Sequence, residues 1–126
     1  MGVDEEVAVE GQGQAIGSAD RIQQVLLNLL DNALKYGGPP IDVRVEPVGK
    51  ETRILVSDRG PGIPFAEQRL VFERFYRSGP ALTRSPGGTG LGLYISRELV
   101  HRMGGQISVR SQPGTGATFV IGLPRA

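Results

Sequence analysis

The hydrophobic period of this chain changes sharply near residue 40, and that change limits the fold more than any other feature. Over residues 20–36, Ile22, Val25, Leu26, Leu29 and Ala33 recur at the three- and four-residue spacing of one helical face. Asp20 is the expected N-cap, because its carboxylate can accept from the unpaired amides of a first turn. Gly37-Gly38-Pro39-Pro40 then stops the helix. From there the period drops to two. Ile41-Asp42-Val43-Arg44-Val45-Glu46 alternates apolar and charged residues, as a strand with one wet face does. Arg53-Ile54-Leu55-Val56-Ser57-Asp58 reads as its partner, with the connecting turn around Gly49. A one-sided helix followed by a one-sided sheet must bury the two apolar faces against each other, which makes the chain α+β.

The remaining segments extend the same scheme. The first dozen residues are polar and read as a frayed lead-in or a short edge strand; we set 1–12 as a flexible lead-in and 13–126 as one domain. A partly helical stretch is expected over 65–77. Residues 78–90 are rich in Gly, Pro, Ser and Thr, and a loop of that length inside a domain usually has a function. A second helix is expected over 89–103, with Leu91, Ile95 and Leu99 as its apolar line and Gly104-Gly105 as its stop. Strands are expected over 106–110 and 117–123, on either side of a Gly/Pro turn at 112–116. The predicted architecture is a two-layer α/β sandwich, a mixed sheet of about five strands covered on one face by about three helices.

Composition removes several functional classes. Fourteen basic residues balance 13 acidic ones, so no general charge attraction to nucleic acid or to a membrane surface is expected. No apolar run in the sequence approaches a membrane span. The acidic start Asp4-Glu5-Glu6 does not resemble a signal peptide. Without cysteine, neither a disulfide nor thiolate chemistry is available. The 19 glycines are the departure from the average. Most fall between residues 60 and 116, a clustering that suits turns or backbone held close to a ligand.

Three segments carry candidate chemistry. On the first helix, Asn28, Asn32 and Lys35 project within a narrow arc, bordered by Arg21, Gln24 and Asp31. A solvated face is the plain reading. Asn, however, is a mediocre helix former, and its amide oxygen suits a hard cation such as Mg²⁺. Asp58-Arg59-Gly60-Pro61-Gly62-Ile63 follows a strand. It is either a simple turn or a carboxylate accepting from an amine such as that of adenine, with glycines admitting a flat base. Gly87-Gly88-Thr89-Gly90-Leu91-Gly92-Leu93 leads into a helix. It is either a linker with a cap or a set of free amides for phosphate.

Taken in order, these segments resemble the catalytic and ATP-binding domain of sensor histidine kinases (the Bergerat fold), within the superfamily that includes DNA gyrase, the Hsp90 chaperones and MutL. Asn28-Leu29-Leu30-Asp31-Asn32-Ala33-Leu34-Lys35-Tyr36 resembles its N box, and residues 58–63 its first glycine box. Phe72-Glu73-Arg74-Phe75-Tyr76-Arg77 resembles the F box. Gly88-Thr89-Gly90-Leu91-Gly92-Leu93 and Gly114-Thr115-Gly116-Ala117-Thr118-Phe119 resemble the later glycine boxes. The match covers residues 15–123.

The resemblance implies ATP and Mg²⁺ as ligands. Asn32 would hold Mg²⁺ on the triphosphate, with Asn28 beside it on phosphate or metal. Lys35 and Tyr36 would contact phosphate or the nucleotide edge. Asp58 would read the adenine amine, while Gly60, Gly62 and Ile63 shape the pocket. Arg77, with Arg74 as a second candidate, would reach the phosphates from a lid at 78–88. Gly88, Thr89, Gly90, Leu91, Gly92 and Leu93 would supply backbone donors, and Thr118 would lie near adenine. In the superfamily's hydrolases a Glu one turn before the key Asn activates water; Asn28 stands there instead, so ATP should be held for transfer. The family's phosphoacceptor histidine lies on a separate dimerisation domain. His101, the one histidine here, lacks the acidic residue that follows it in that family and reads as a surface or packing residue. The chain by itself should therefore bind ATP as a cytoplasmic monomer without autokinase activity. Its partners would be the histidine-bearing domain and, indirectly, a response regulator. The alternatives are a non-catalytic nucleotide-binding or docking module and a hydrolysing ATPase of the same superfamily.

Overall fold

A computed structural model of the chain describes residues 7–11, 18–74, 92–112 and 114–125, with 7–11 described at the level of the backbone. Its elements run β1 (Val7–Gly11), α1 (Ala19–Tyr36), β2 (Ile41–Val48), β3 (Glu51–Ser57), α2 (Phe65–Gln68), α3 (Gly92–Arg102), β4 (Gln106–Ser111) and β5 (Ala117–Pro124). The strands form one sheet of order β1-β2-β3-β5-β4. β1 is parallel to β2 and the other neighbours are antiparallel. Among the described residues, the expected α+β sandwich forms, with a mixed five-stranded sheet and three helices. Of the two readings of the N-terminal residues, the edge strand holds for 7–11.

α1 forms where the apolar stripe predicted it. Val25, Leu29 and Ala33 are buried, and Ile22, Leu26 and Leu30 pack against the core from its flanks. Its start differs from expectation. Ser18, in extended backbone, is the N-cap, and its hydroxyl accepts from Arg21 N at 3.4 Å. The helix begins two residues earlier than Asp20 would allow, so Asp20 falls in the first turn, where a carboxylate favours the helix dipole.

β2 and β3 pair through Val48↔Glu51, leaving Gly49 and Lys50 as a two-residue turn. Both strands outrun the sequence estimate. Pro47 lies past Val45, the last residue of β2 paired to β1 among the described residues, a strand-edge position of the kind proline tolerates. β3 gives Ile54 and Val56 to the core, and β5 gives Ala117, Phe119, Ile121 and Leu123. Fully burying side chains of this size stabilises by roughly 1.5–3 kcal/mol each.

α3 corrects a second expectation. Leu91 lies outside the described residues, and Ile95 and Leu99 are only half-buried. The fully buried line is Ser96 and Val100, with Leu93, Leu99 and Met103 packed at the edge of the core. A periodicity count passes over Ser96 because it is polar. The helix buries it because its hydroxyl is bonded internally. The C-terminus is as read: Gly104 N donates to His101 O and Gly105 N to Val100 O, both at 3.0 Å, closing a Schellman motif with Gly104 at φ 79°. His101 is exposed. Of the stretch 65–77, residues 65–68 are helical, 69–74 are turns and bends, and 75–77 lie outside the described residues.

Candidate functional site

Asp58 sits one residue past the end of β3 and is 8% exposed. Its amide continues the ladder to Ala117 O at 2.9 Å. Its Oδ1 accepts from Gly60 N at 2.9 Å and from Ala117 N at 3.3 Å. Backbone amides that can only donate thus settle the orientation of the carboxylate. Three glycines from three segments close around it. A Cβ on Gly37 would lie 2.6 Å from Asp58 Oδ2, and one on Gly60 would lie 2.5 Å from the backbone of Gly37. At Gly116, φ 95°, a Cβ would strike the Asp58 carbonyl oxygen. Arg59 N donates to Gly38 O at 2.9 Å, joining the end of α1 to the same loop.

The glycine loop after Asp58 is fastened to the β4–β5 turn. Gly114 N donates to Pro61 O at 2.7 Å and Ile63 N to Ser111 Oγ at 2.8 Å. Ser111 Oγ in turn donates to Gly116 O at 2.8 Å. Gln68 Nε2 donates to Ile63 O at 2.9 Å and to Ser111 O at 2.8 Å. Gly62, at φ 79°, has Gln112 O only 2.7 Å from where a Cβ would stand. The glycines at 60 and 62 therefore meet a close approach of chain to chain, where the sequence suggested the approach of a base to the chain. Ile63 packs against the edge of the core. Thr118 Oγ1 and Ser57 Oγ share a hydrogen bond of 2.8 Å on neighbouring strands beside Asp58.

α1 supplies the amides. Asn28 and Asn32 are both half-buried. Asn28 Nδ2 donates to Ser96 Oγ at 3.3 Å and to Gly92 O at 3.5 Å, linking α1 to the first turn of α3. A Cβ on Gly92 would meet nothing within 4 Å among the described residues. Gly92 and Leu93 are the first described residues of α3. Lys35 Nζ pairs with Asp31 Oδ2 at 3.1 Å, one turn back, and Tyr36 follows it, exposed, at the helix end. From Asn28 to Gly37, α1 advances about 14 Å at ~1.5 Å per residue. The Asn28 amide that faces α3 thus stands about half the length of α1 from the buried carboxylate.

Beyond α2, Phe72 is buried and meets Phe119 edge-on, ring centroids 5.9 Å apart at 89°. Arg97 Nη1 reaches Glu73 Oε2 at 3.4 Å, and its guanidinium lies 5.6 Å from the centroid of the Tyr94 ring. Arg74 is exposed at the end of this segment. Arg77, Gly88, Thr89, Gly90 and Leu91, and the lid expected at 78–88, lie outside the described residues.

Sequence reasoning missed Gly37, Ser57, Gln68, Ser96 and Ser111 as builders of the site. Gly37 was read only as a helix stop. The others hold partners far along the chain, and no local pattern announces such pairs. Among the described residues, no three His, Cys, Asp or Glu side chains gather as a metal cage. The donors fit Mg²⁺ in a different way: a cation arriving on phosphates keeps several waters and needs one or two protein oxygens. The Asn28 and Asn32 amides can provide those.

The family model described as histidine kinase-, DNA gyrase B-, and HSP90-like ATPase matches residues 17–126. The chain is 41% identical over 108 residues to the sensor protein SrrB of Staphylococcus aureus, covering 84% of this chain and 18% of that protein. It thus spans about a fifth of the length of this curated relative. Among solved structures, the mycobacterial sensor histidine kinase MprB superposes with a TM-score of 0.76 at 34% identity, covering 95% of this chain and 83% of the other. Full-length ShkA in complex with AMPPNP superposes with a TM-score of 0.78 at 30% identity, covering 96% and 26%.

Proposed function

The chain belongs to the family of histidine kinase-, DNA gyrase B- and HSP90-like ATPases, and from that premise we propose that it is the domain of a sensor histidine kinase that binds ATP–Mg²⁺ and holds it for transfer of the γ-phosphate to a histidine on a separate dimerisation domain. The observation that carries the reading is Asp58. Its Oδ1 is saturated by two backbone amides, and its Oδ2 lies beside a position that only glycine can occupy. A buried acceptor framed in this way suits one donor arriving from a flat ring, such as the exocyclic amine of adenine.

With the base at Asp58, beside Thr118 and Ser57, the sugar and phosphates would run along α1 toward Asn32 and Asn28. Lys35 and Tyr36 would lie along the nucleotide's edge, and Arg74 and Arg77 would reach it from the lid side. The amides from Gly88 to Leu93 would meet the phosphates at the start of α3. When bound, Mg²⁺ neutralises charge on the phosphate oxygens; the chain's own contribution is positioning. A carboxylate base is missing one turn before Asn32, where Asn28 stands, and the neighbouring Asp31 is engaged by Lys35. Hydrolysis by the chain should therefore be slow. Its surroundings would be cytoplasmic, where ATP is available. Among the described residues, no helix is long and apolar enough to cross a membrane.

Calorimetry with a non-hydrolysable ATP analogue and Mg²⁺ tests the reading. Binding is expected, with a large loss in Asp58→Ala. No binding, or the same affinity in the variant, would overturn it. Adding a matched dimerisation domain in trans should produce phosphohistidine, whereas the chain alone should produce none. Binding without any transfer would favour a nucleotide-sensing module.

A further inference from the structure

We propose that Ser96 is a positioning residue for nucleotide binding, because it sets which end of the Asn28 carboxamide faces the phosphates and their cation. The proposal rests on the reading of Asn28 as a nucleotide-site residue given above. Ser96 is 0% exposed, on a helix whose buried line would ordinarily be apolar. A hydroxyl so placed destabilises the fold unless it is bonded. Its proton goes to Gly92 O, one turn back, at 2.9 Å. The lone pairs of Ser96 Oγ are then open to α1, and Asn28 Nδ2 donates into them at 3.3 Å.

The direction of that bond follows from chemistry alone. Among the described residues, α3 presents two oxygens toward Asn28: the Gly92 carbonyl, which can only accept, and the Ser96 hydroxyl, whose hydrogen is already donated to Gly92 O. An Asn28 oxygen turned that way would face two acceptors. The nitrogen is therefore held toward α3, and Oδ1 is the arm left for a ligand. This selection matters because an amide oxygen can coordinate a hard cation and an amide nitrogen cannot. The Nδ2–Gly92 contact, at 3.5 Å, is at the limit of a hydrogen bond, so Ser96 carries most of the orientation.

The experiment uses the full chain, a non-hydrolysable ATP analogue and Mg²⁺. Calorimetry compares the parent with Ser96→Ala, Ser96→Thr, Asn28→Ala and the Ser96→Ala/Asn28→Ala double variant. Ser96→Ala is expected to bind about 3- to 10-fold more weakly, the loss of one net side-chain hydrogen bond. Ser96→Thr keeps the hydroxyl and should bind within about twofold of the parent. In the Asn28→Ala background, Ser96→Ala should change affinity by less than about twofold, because no amide is left to orient. In the ligand-free chain, the side-chain amide resonances of Asn28 should move in Ser96→Ala and return in Ser96→Thr. If Asn28→Ala weakens binding while Ser96→Ala does not, the positioning role is wrong and the reading of Asn28 stands. If Ser96→Ala weakens binding equally with and without Asn28, Ser96 acts only through the fold and the proposal fails. If Asn28→Ala binds like the parent, the reading of Asn28 fails and takes the proposal with it. Should Ser96→Thr not fold, the cycle and the resonances of Ser96→Ala decide the question.

Discussion

Replacing Asp58 with Asn changes one atom of the proposed base-reading group and should invert which purine it prefers. Oδ1 faces two amides that can only donate, Gly60 N at 2.9 Å and Ala117 N at 3.3 Å. The carboxamide of Asp58→Asn must keep its oxygen on that side and place its NH₂ where Oδ2 stood, beside Gly37. An adenine amine would then meet a donor in place of an acceptor. Losing a hydrogen bond to a charged group removes about 1.5–3 kcal/mol, which predicts ATP binding roughly 10- to 150-fold weaker. Inosine triphosphate carries a carbonyl at that edge, so it should bind the parent poorly and the variant better. The fold should survive, because both amides keep an acceptor. Exchanging a charged acceptor for a neutral one removes about 1 kcal/mol, or a fall of ~3–5 °C in Tm. Calorimetry with analogues of both nucleotides, alongside scanning calorimetry of the unliganded chain, checks all three values. A variant that binds both nucleotides as the parent does would refute the placement of the base. A variant that loses both equally, without reversal, would show that Asp58 supports the pocket without reading the ring.

Three further outcomes follow from the same geometry. Phe72→Ala empties a buried ring site against Phe119 and should destabilise by about 3–5 kcal/mol, read as a lower urea midpoint with the m-value retained. Gly116→Ala and Gly49→Ala both place alanine at positive φ, yet the first also strikes the Asp58 carbonyl while the second meets nothing within 4 Å. Gly49→Ala should therefore lose only about 1 kcal/mol and Gly116→Ala at least twice that, and similar losses would contradict the close packing at 116. Lys35→Met breaks an exposed pair with Asp31, the two side chains 40% and 62% exposed. Stability should shift by less than about 0.5 kcal/mol, whereas ATP affinity should fall more than adenosine affinity; an equal fall for both would remove Lys35 from the phosphate side.

The parts of the fold legible in the sequence are those where period and partner are local. The stripe from Ile22 to Ala33, the stop at Gly37 and the hairpin around Gly49 each follow from residues a few positions apart. The N-cap was misplaced because Ser18 and Asp20 are both good caps, and the choice depends on which residue takes extended backbone. The buried line of α3 was misread for a different reason. A count of apolar positions cannot anticipate a serine whose proton returns to its own helix and whose lone pairs serve another. The same holds for Ser57 with Thr118, 61 positions apart, and for Ile63 with Ser111, 48 apart. Such pairs depend on strand order, and the hydrophobic pattern leaves several orders open.

The glycine clusters show how one signal can carry two meanings. A missing side chain admits any close neighbour, and the sequence does not say whether that neighbour is a ligand or another stretch of the same chain. Gly37, Gly60, Gly62 and Gly116 turn their open side to the chain itself, and together they lock the end of α1, the loop after β3 and the β4–β5 turn around Asp58. Gly92 turns its open side to space among the described residues, at the start of a helix. In the proposed nucleotide site, these two kinds of glycine would divide the work. The first kind makes a rigid, buried acceptor by forbidding Cβ atoms where backbones cross. The second would leave room for an anion beside the first described turn of α3. A rigid end to select a base and an open end to admit phosphate would require opposite packing. In the proposed site, their separation by about half the length of α1 would let a single 18-residue helix satisfy both requirements.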